Sequence, residues 1–186
     1  MNYFRLIDDI HFPDRWHIGD IVSVPMGTVD LLRNQRLASE VVLQTTVSHA
    51  GIPLDFCVTS FGIPIAKRKL ANAITLVVKV DVQIVPIRID NLQNGNGYVV
   101  LNCLRAVDCM DEQRSEFIKW TSADHRTDLA GQYRMVTSLH LDSSKIPKGA
   151  HMFRLLGWPV ALIVSQVVKD AMEIVGCCGA KFEAID

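Results

Sequence analysis

The chain has 186 residues, of which 49% are apolar and 21% charged, with a formal net charge of −1 and a sequence pI near 6.6. That length fits one domain able to bury a core without disulfides or metals, and the composition excludes a disordered chain, a fibrous repeat and a coiled coil. So small a net charge gives no overall positive field to hold a nucleic-acid backbone by counterion release, and nucleic acid is not an expected partner.

The longest apolar run, Trp158 to Val164, is far shorter than the roughly 20 residues that span a bilayer, so no membrane segment is expected. The opening Met1-Asn2-Tyr3-Phe4-Arg5-Leu6-Ile7-Asp8-Asp9 meets acidic residues before any apolar stretch of signal-peptide length, which predicts a cytoplasmic chain. Cys57, Cys103, Cys109, Cys177 and Cys178 form an odd set without a C-x-x-C pair, and free thiols in a reducing compartment are the expectation.

In chain order, Tyr3 to Ile7 reads as a first strand and His11 to Asp20 as a loop punctuated by Pro13 and Gly19, with Trp16 capping one edge of the core. Val41, Val42, Thr45, Thr46 and Val47 predict a strand over 40–47, and the turn His49 to Pro53 leads to another over 54–59. After Pro64, the residues Leu70, Ala73, Ile74, Val77 and Val78 recur at helical spacing and predict an amphipathic helix. Lys67, Arg68 and Lys69 stand at its start, against the helix dipole, so the triplet either lies just outside the helix or has a local partner.

Residues 81–90 predict a strand whose alternation changes phase at Val85-Pro86, with Val82 and Ile84 on one face and Ile87 and Ile89 on the other. A bulge or an edge position is expected there, because proline lacks the ladder N–H. Asn91 to Gly97 is a loop, and Tyr98 to Leu104 completes a hairpin with an irregular turn. Further on, Tyr133, Met135, Thr137, Leu139 and Leu141 alternate with Arg134, Ser138 and His140 as in a half-buried strand, with Val136 the misfit.

His151 to Leu155 predicts a short strand, and Val160 to Val164, apolar on both faces, a central one. Ser165 is placed as N-cap of a second amphipathic helix carrying Val167, Val168, Ala171, Met172, Ile174 and Val175 and ending at Gly176; 181–185 closes as a strand. Strand, helix and strand there predict a right-handed βαβ unit with parallel strands. The fold class is α+β: a mixed, largely antiparallel sheet with a few helices and a C-terminal strand-helix-strand unit, in a single domain over 1–186.

Chemistry-bearing patterns are sparse. Of the six histidines only His11 and His17 approach metal-ligand spacing, no cysteine pair accompanies them, and no metal is expected. Cys57, Cys103 and Cys109 lie in or beside apparent strands as small buried hydrophobes, and no G-x-S-x-G elbow is present. Asn94-Gly95-Asn96-Gly97 precedes a strand and is no phosphate cradle, so no cofactor and no catalytic residue are assigned.

The most informative segment runs from Asp108 to Trp120. Between 108 and 116 it sets Asp108, Asp111, Glu112 and Glu116 against Arg114, a local charge of −3 in a nearly neutral protein. Two readings are open. In the plainer one this is a solvated loop or short helix with Phe117 and Trp120 tucked into the core. In the other, the four carboxylates and Trp120 form an acidic patch with an aromatic rim, suited to steering and docking a basic protein partner.

Several blocks resemble an immunity-protein family of bacterial polymorphic toxin systems, long filed as a domain of unknown function. They are Arg114-Ser115-Glu116-Phe117-Ile118-Lys119-Trp120, Gly131-Gln132-Tyr133-Arg134, His151-Met152-Phe153-Arg154-Leu155 with Trp158-Pro159, Leu162-Ile163-Val164-Ser165 and Gly179-Ala180-Lys181-Phe182. Pro13-Asp14-Arg15-Trp16-His17-Ile18-Gly19 and Pro53-Leu54-Asp55-Phe56 are similar to its N-terminal blocks, and the likeness is weakest between Asp20 and Thr46. The resemblance implies an α+β protein made beside a toxin gene that neutralises its cognate toxin by stoichiometric binding, without catalysis. A contrasting expectation is a small cytoplasmic hydrolase or transferase using Cys109 or His151 with nearby acids, and a third is a module binding a small molecule or peptide.

Overall fold

The structure, a computed structural model, describes residues 1–24, 31–59, 61–92 and 97–185. Most of the expected loop at Asn91 to Gly97 therefore lies outside the described residues. In chain order the strands are β1 (Tyr3–Asp8), β2 (His17–Ile18), β3 (Val22–Val24), β4 (Val42–His49), β5 (Phe56–Val58) and β6 (Pro64–Lys67), followed by helix α1 (Arg68–Val78). Then β7 (Val82–Asp90), β8 (Tyr98–Cys103), β9 (Ala106–Val107), β10 (Glu116–Lys119), β11 (Tyr133–Ser138), β12 (Met152–Leu155) and β13 (Trp158–Ser165) lead to helix α2 (Gln166–Ile174) and the last strand, β14 (Ala180–Ile185).

Among the described residues these strands form three sheets. One has the order β14-β1-β13-β12-β9, a second the order β2-β4-β7-β8-β6-β5 with β3 also on β4, and β10 and β11 make a two-stranded ribbon. Most pairings are antiparallel; β4 with β7 and β12 with β9 are parallel. The architecture is thus the expected mixed, largely antiparallel α+β fold.

Strand β8 is buried along its whole length because its two faces serve two cores. Val99, Leu101 and Cys103 pack with Leu70, Ala71, Ile74 and Val78 of α1 and with Val168 and Met172 of α2. Tyr98 and Val100 turn the other way, toward Trp16, Leu43, Leu54 and Ile65. Fully burying each such aliphatic side chain stabilises the fold by about 1.5–3 kcal/mol. The same logic explains β13, whose Leu162 and Val164 face the helices while Ala161 and Ile163 face a third core with Tyr133, Phe153 and Leu155.

The phase change at Val85-Pro86 has a specific cause. From Val82 to Pro86 strand β7 pairs antiparallel with β8, and from Ile87 onward it pairs parallel with β4. Val82 and Ile84 pack on the helix side, whereas Val85, Ile87 and Ile89 join the second core. Pro86 stands where one ladder hands over to the next, so the missing N–H is accommodated with neither the expected bulge nor an edge position.

Helix α1 follows the predicted stripe except that Ala71, not Ala73, is fully buried. Of the basic triplet only Lys67 lies just outside it, on β6, with its ammonium 2.8 Å from Asp55, whereas Arg68 and Lys69 form the helix's first turn. Strand β6 carries no sequence signal of its own: all of Pro64, Ile65 and Ala66 are buried, so no alternation marks it. Ser165 does occupy the N-cap position of α2, but its hydroxyl meets Nδ1 of His151 at 3.0 Å and makes no cap bond.

The C-terminal β13-α2-β14 unit has the expected parallel outer strands, since both pair antiparallel with β1, which lies between them. The turn into β14 depends on Gly179. Its φ is +90°, and an added Cβ would lie 2.3 Å from the carbonyl oxygen of Phe56, a position only glycine can fill.

Candidate functional site

Residues 107–111 are anchored by what they bury. Val107, Cys109 and Met110 enter the third core, Met110 bridges to Leu141, and Asp108 is left exposed on the outside. Asp111 then closes a turn: its Oδ1 accepts from the N–H groups of Gln113 at 3.1 Å and Arg114 at 3.3 Å, and its carbonyl accepts from Ser115 N–H at 2.9 Å. The segment that follows is strand β10, not the short helix considered from its sequence, and Phe117 and Trp120 are only partly buried.

Glu112, on that turn, reaches the ribbon. Its Oε1 is 2.7 Å from Nζ of Lys119 and also accepts from the Tyr133 hydroxyl. These two partners, the lysine first, hold its carboxyl below the ordinary glutamate range. Tyr133 shifts the opposite way, upward, because it is buried and because Glu112 stands beside it. Nζ of Lys119 also lies 4.9 Å from the Tyr133 ring centroid, so one ammonium serves both a carboxylate and an aromatic face.

A fourth carboxylate comes from about thirty residues downstream. Asp142 is tied to this region by its N–H, which donates to the Cys109 carbonyl at 2.8 Å. Its Oδ1 accepts from Ser144 N–H at 3.0 Å and from the Ser144 hydroxyl at 2.6 Å, which lowers its carboxyl's pKa. Asp108, Asp111, Glu112, Asp142 and Lys145 line a polar cleft of about 500 Å³. With Lys145 3.7 Å from Asp142 and Lys119 on Glu112, the four carboxylates exceed the nearby bases by two.

The cleft therefore unites Asp108, Asp111 and Glu112 but not the other two candidates. Glu116 lies on β10, where Oε2 accepts from the Thr137 hydroxyl at 3.3 Å. Trp120 follows β10, with the Arg134 guanidinium 4.8 Å over its ring and His125 edge-on at 5.4 Å. The ribbon also presents Ile118 and Met135, direct cross-strand partners that are 50% and 46% exposed. The alternation from Tyr133 to Leu141 predicts Met135 on the buried face. Register slips by one between Ile118 and Lys119, making Arg134 an extra residue, so Tyr133 and Val136 face inward and Met135 outward. Asp142 and Lys145 carried no sequence signal for the cleft, because only the tertiary bridge between Met110 and Leu141 brings their turn there.

The chemistry considered for the cysteines and histidines meets a different geometry. Cys109 is fully buried, and burial pushes its thiol up to about 12, far from a thiolate nucleophile. Cys57 and Cys103 are buried and raised likewise. His151 is engaged with Ser165, and His17 faces His49 across β2 and β4 with ring centroids 5.8 Å apart. Among the described residues no group of three or more His, Cys, Asp or Glu side chains is placed to hold a metal ion, and no helix is long and apolar enough to cross a membrane.

Comparison with known families matches residues 8–186 to an immunity protein family, Imm11. No curated protein sequence matches the chain.

Proposed function

Because the chain belongs to the immunity protein family Imm11, we propose that it binds and neutralises a cognate bacterial polymorphic toxin in the cytoplasm by stoichiometric protein contact, with no catalysis of its own. The observation that carries this reading is the family match, which extends over nearly the whole chain. The docking surface is the acidic cleft of Asp108, Asp111, Glu112 and Asp142 together with the adjoining ribbon, where Glu116 and Trp120 flank the exposed Ile118 and Met135. An apolar pair set among carboxylates suits a partner that offers basic residues around an apolar contact. Such a complex buries roughly 1,200–2,000 Å² in total.

The test is co-expression in bacteria with the product of the neighbouring toxin gene. Cells making both proteins grow, and cells making the toxin alone do not. Persistent toxicity in the presence of the folded protein rejects the proposal.

A further inference from the structure

Strand β14 forms an edge of its sheet. All six of its residues pair with β1, in a register free of bulges, and no described strand pairs with its outer side. The direction of its free backbone groups follows from one bond: Asp9 N–H donates to the Gly179 carbonyl at 2.9 Å, in line with the β1 register. Directly opposed residues of an antiparallel pair alternate between bonded and non-bonded. Lys181, Glu183 and Ile185 therefore bond to β1, and the N–H and C=O groups of Ala180, Phe182 and Ala184 point outward, the Ala180 N–H beside the Cys177 thiol, a weak acceptor that a backbone carbonyl can replace. A regular edge of this kind is a template for another strand.

The side chains of the edge select which strand. For two copies related by a twofold axis, outward groups must meet outward groups, so the registers that overlap most of the strand are centred on Lys181, Phe182 or Glu183. Centring on Lys181 opposes two lysines, and centring on Glu183 opposes two glutamates; both are repulsive. Centring on Phe182 pairs Ala180 with Ala184 through backbone bonds and sets Lys181 opposite the second copy's Glu183, twice. These charge pairs then fall at non-hydrogen-bonded positions, where opposed side chains come closest. Lys181 and Glu183 already share one face of β14, 3.9 Å apart, so both stand ready on the same side of the joined sheet.

We propose that the protein self-associates through β14, with Phe182 on the twofold axis and reciprocal Lys181–Glu183 pairs, to make a continuous sheet across two copies. The interface is isologous and short, so the dimer forms in a concentration-dependent way. It does not depend on the toxin-binding reading.

Sedimentation velocity of the full chain over a dilution series tests this. The expected result is a monomer–dimer equilibrium that weakens with added salt. K181E and E183K each turn two attractive pairs into two repulsive ones and weaken dimerisation by roughly tenfold or more, while the double variant K181E/E183K restores it toward the parent value. Circular dichroism verifies that each variant is folded. The proposal is overturned by a chain that is monomeric at every concentration, by a dimer indifferent to the single reversals, or by a double variant as weak as the singles. Protection of the Phe182 and Ala184 amides from hydrogen exchange only when toxin is added would assign the edge to the toxin and overturn it equally.

Discussion

Nζ of Lys119 stands 2.7 Å from Oε1 of Glu112, so a base on the β10–β11 ribbon fixes a carboxylate that the preceding turn contributes to the acidic cleft. The contact joins the two parts of the proposed docking surface and leaves Asp108 as an exposed acid at the cleft's rim.

If the cleft steers a basic partner, the combined Asp108→Lys and Glu112→Lys variant associates with the toxin about tenfold more slowly at low salt, and the difference shrinks as salt is added. Stopped-flow mixing measures this. An unchanged association rate at low ionic strength removes the cleft from the docking surface.

Asp55 links β5, β6 and the segment before β14: its carboxylate lies 2.8 Å from Lys67 Nζ and 3.0 Å from Cys178 Sγ. Burial raises its pKa, but these bonds and the Cys178 N–H together outweigh burial, and its net shift is downward. An acid that titrates lower in the folded than in the unfolded chain contributes stability above the unfolded value of about 3.9 and loses it as pH falls through the folded value. Lys67→Met is therefore less stable than the parent at neutral pH, and chemical unfolding at a series of pH values shows the gap closing below about pH 4.

Gly179→Ala destabilises the fold by about 3 kcal/mol or more, because the left-handed backbone and the close approach of the Phe56 carbonyl both exclude a Cβ. Urea unfolding measures the loss. A cost under about 1 kcal/mol would mean that β5 and the start of β14 can separate without penalty.

Arg154 is buried in β12, and its guanidinium donates to the carbonyls of Pro159 at 2.6 Å and Gly62 at 3.0 Å, tying the β12–β13 hairpin to the loop after β5. Burial pulls its pKa down, yet the two bonds keep the charged fork in place. Arg154→Ala costs about 3 kcal/mol or more in unfolding experiments, since hydrogen bonds from a charged group contribute roughly 1.5–3 kcal/mol each. Arg154→Lys recovers only part of this, because an ammonium cannot span both carbonyls as the planar fork does.

Period and composition made much of this fold legible in the sequence. The stripe from Leu70 to Val78, the doubly apolar Val160 to Val164 and the phase change at Val85-Pro86 each report a burial pattern that the structure contains. What stayed hidden depended on tertiary partners. Pro64 to Lys67 gave no alternation because its strand is covered on both faces, and the outward turn of Met135 arises from a bulge whose extra residue, Arg134, has no distinctive chemistry. The acidic segment announced Asp108, Asp111 and Glu112, but Asp142 joins them only through the fold, and Trp120 belongs with Arg134 and His125 instead.

The most direct measurement is calorimetric titration of the purified chain with the purified product of the neighbouring toxin gene, read alongside the toxin's activity. Saturation at one immunity protein per toxin, with activity vanishing at the same equivalence point, is the predicted result. Loss of toxin activity at far below one equivalent would reveal turnover, and no heat with undiminished activity would reveal no partnership; either contradicts the account.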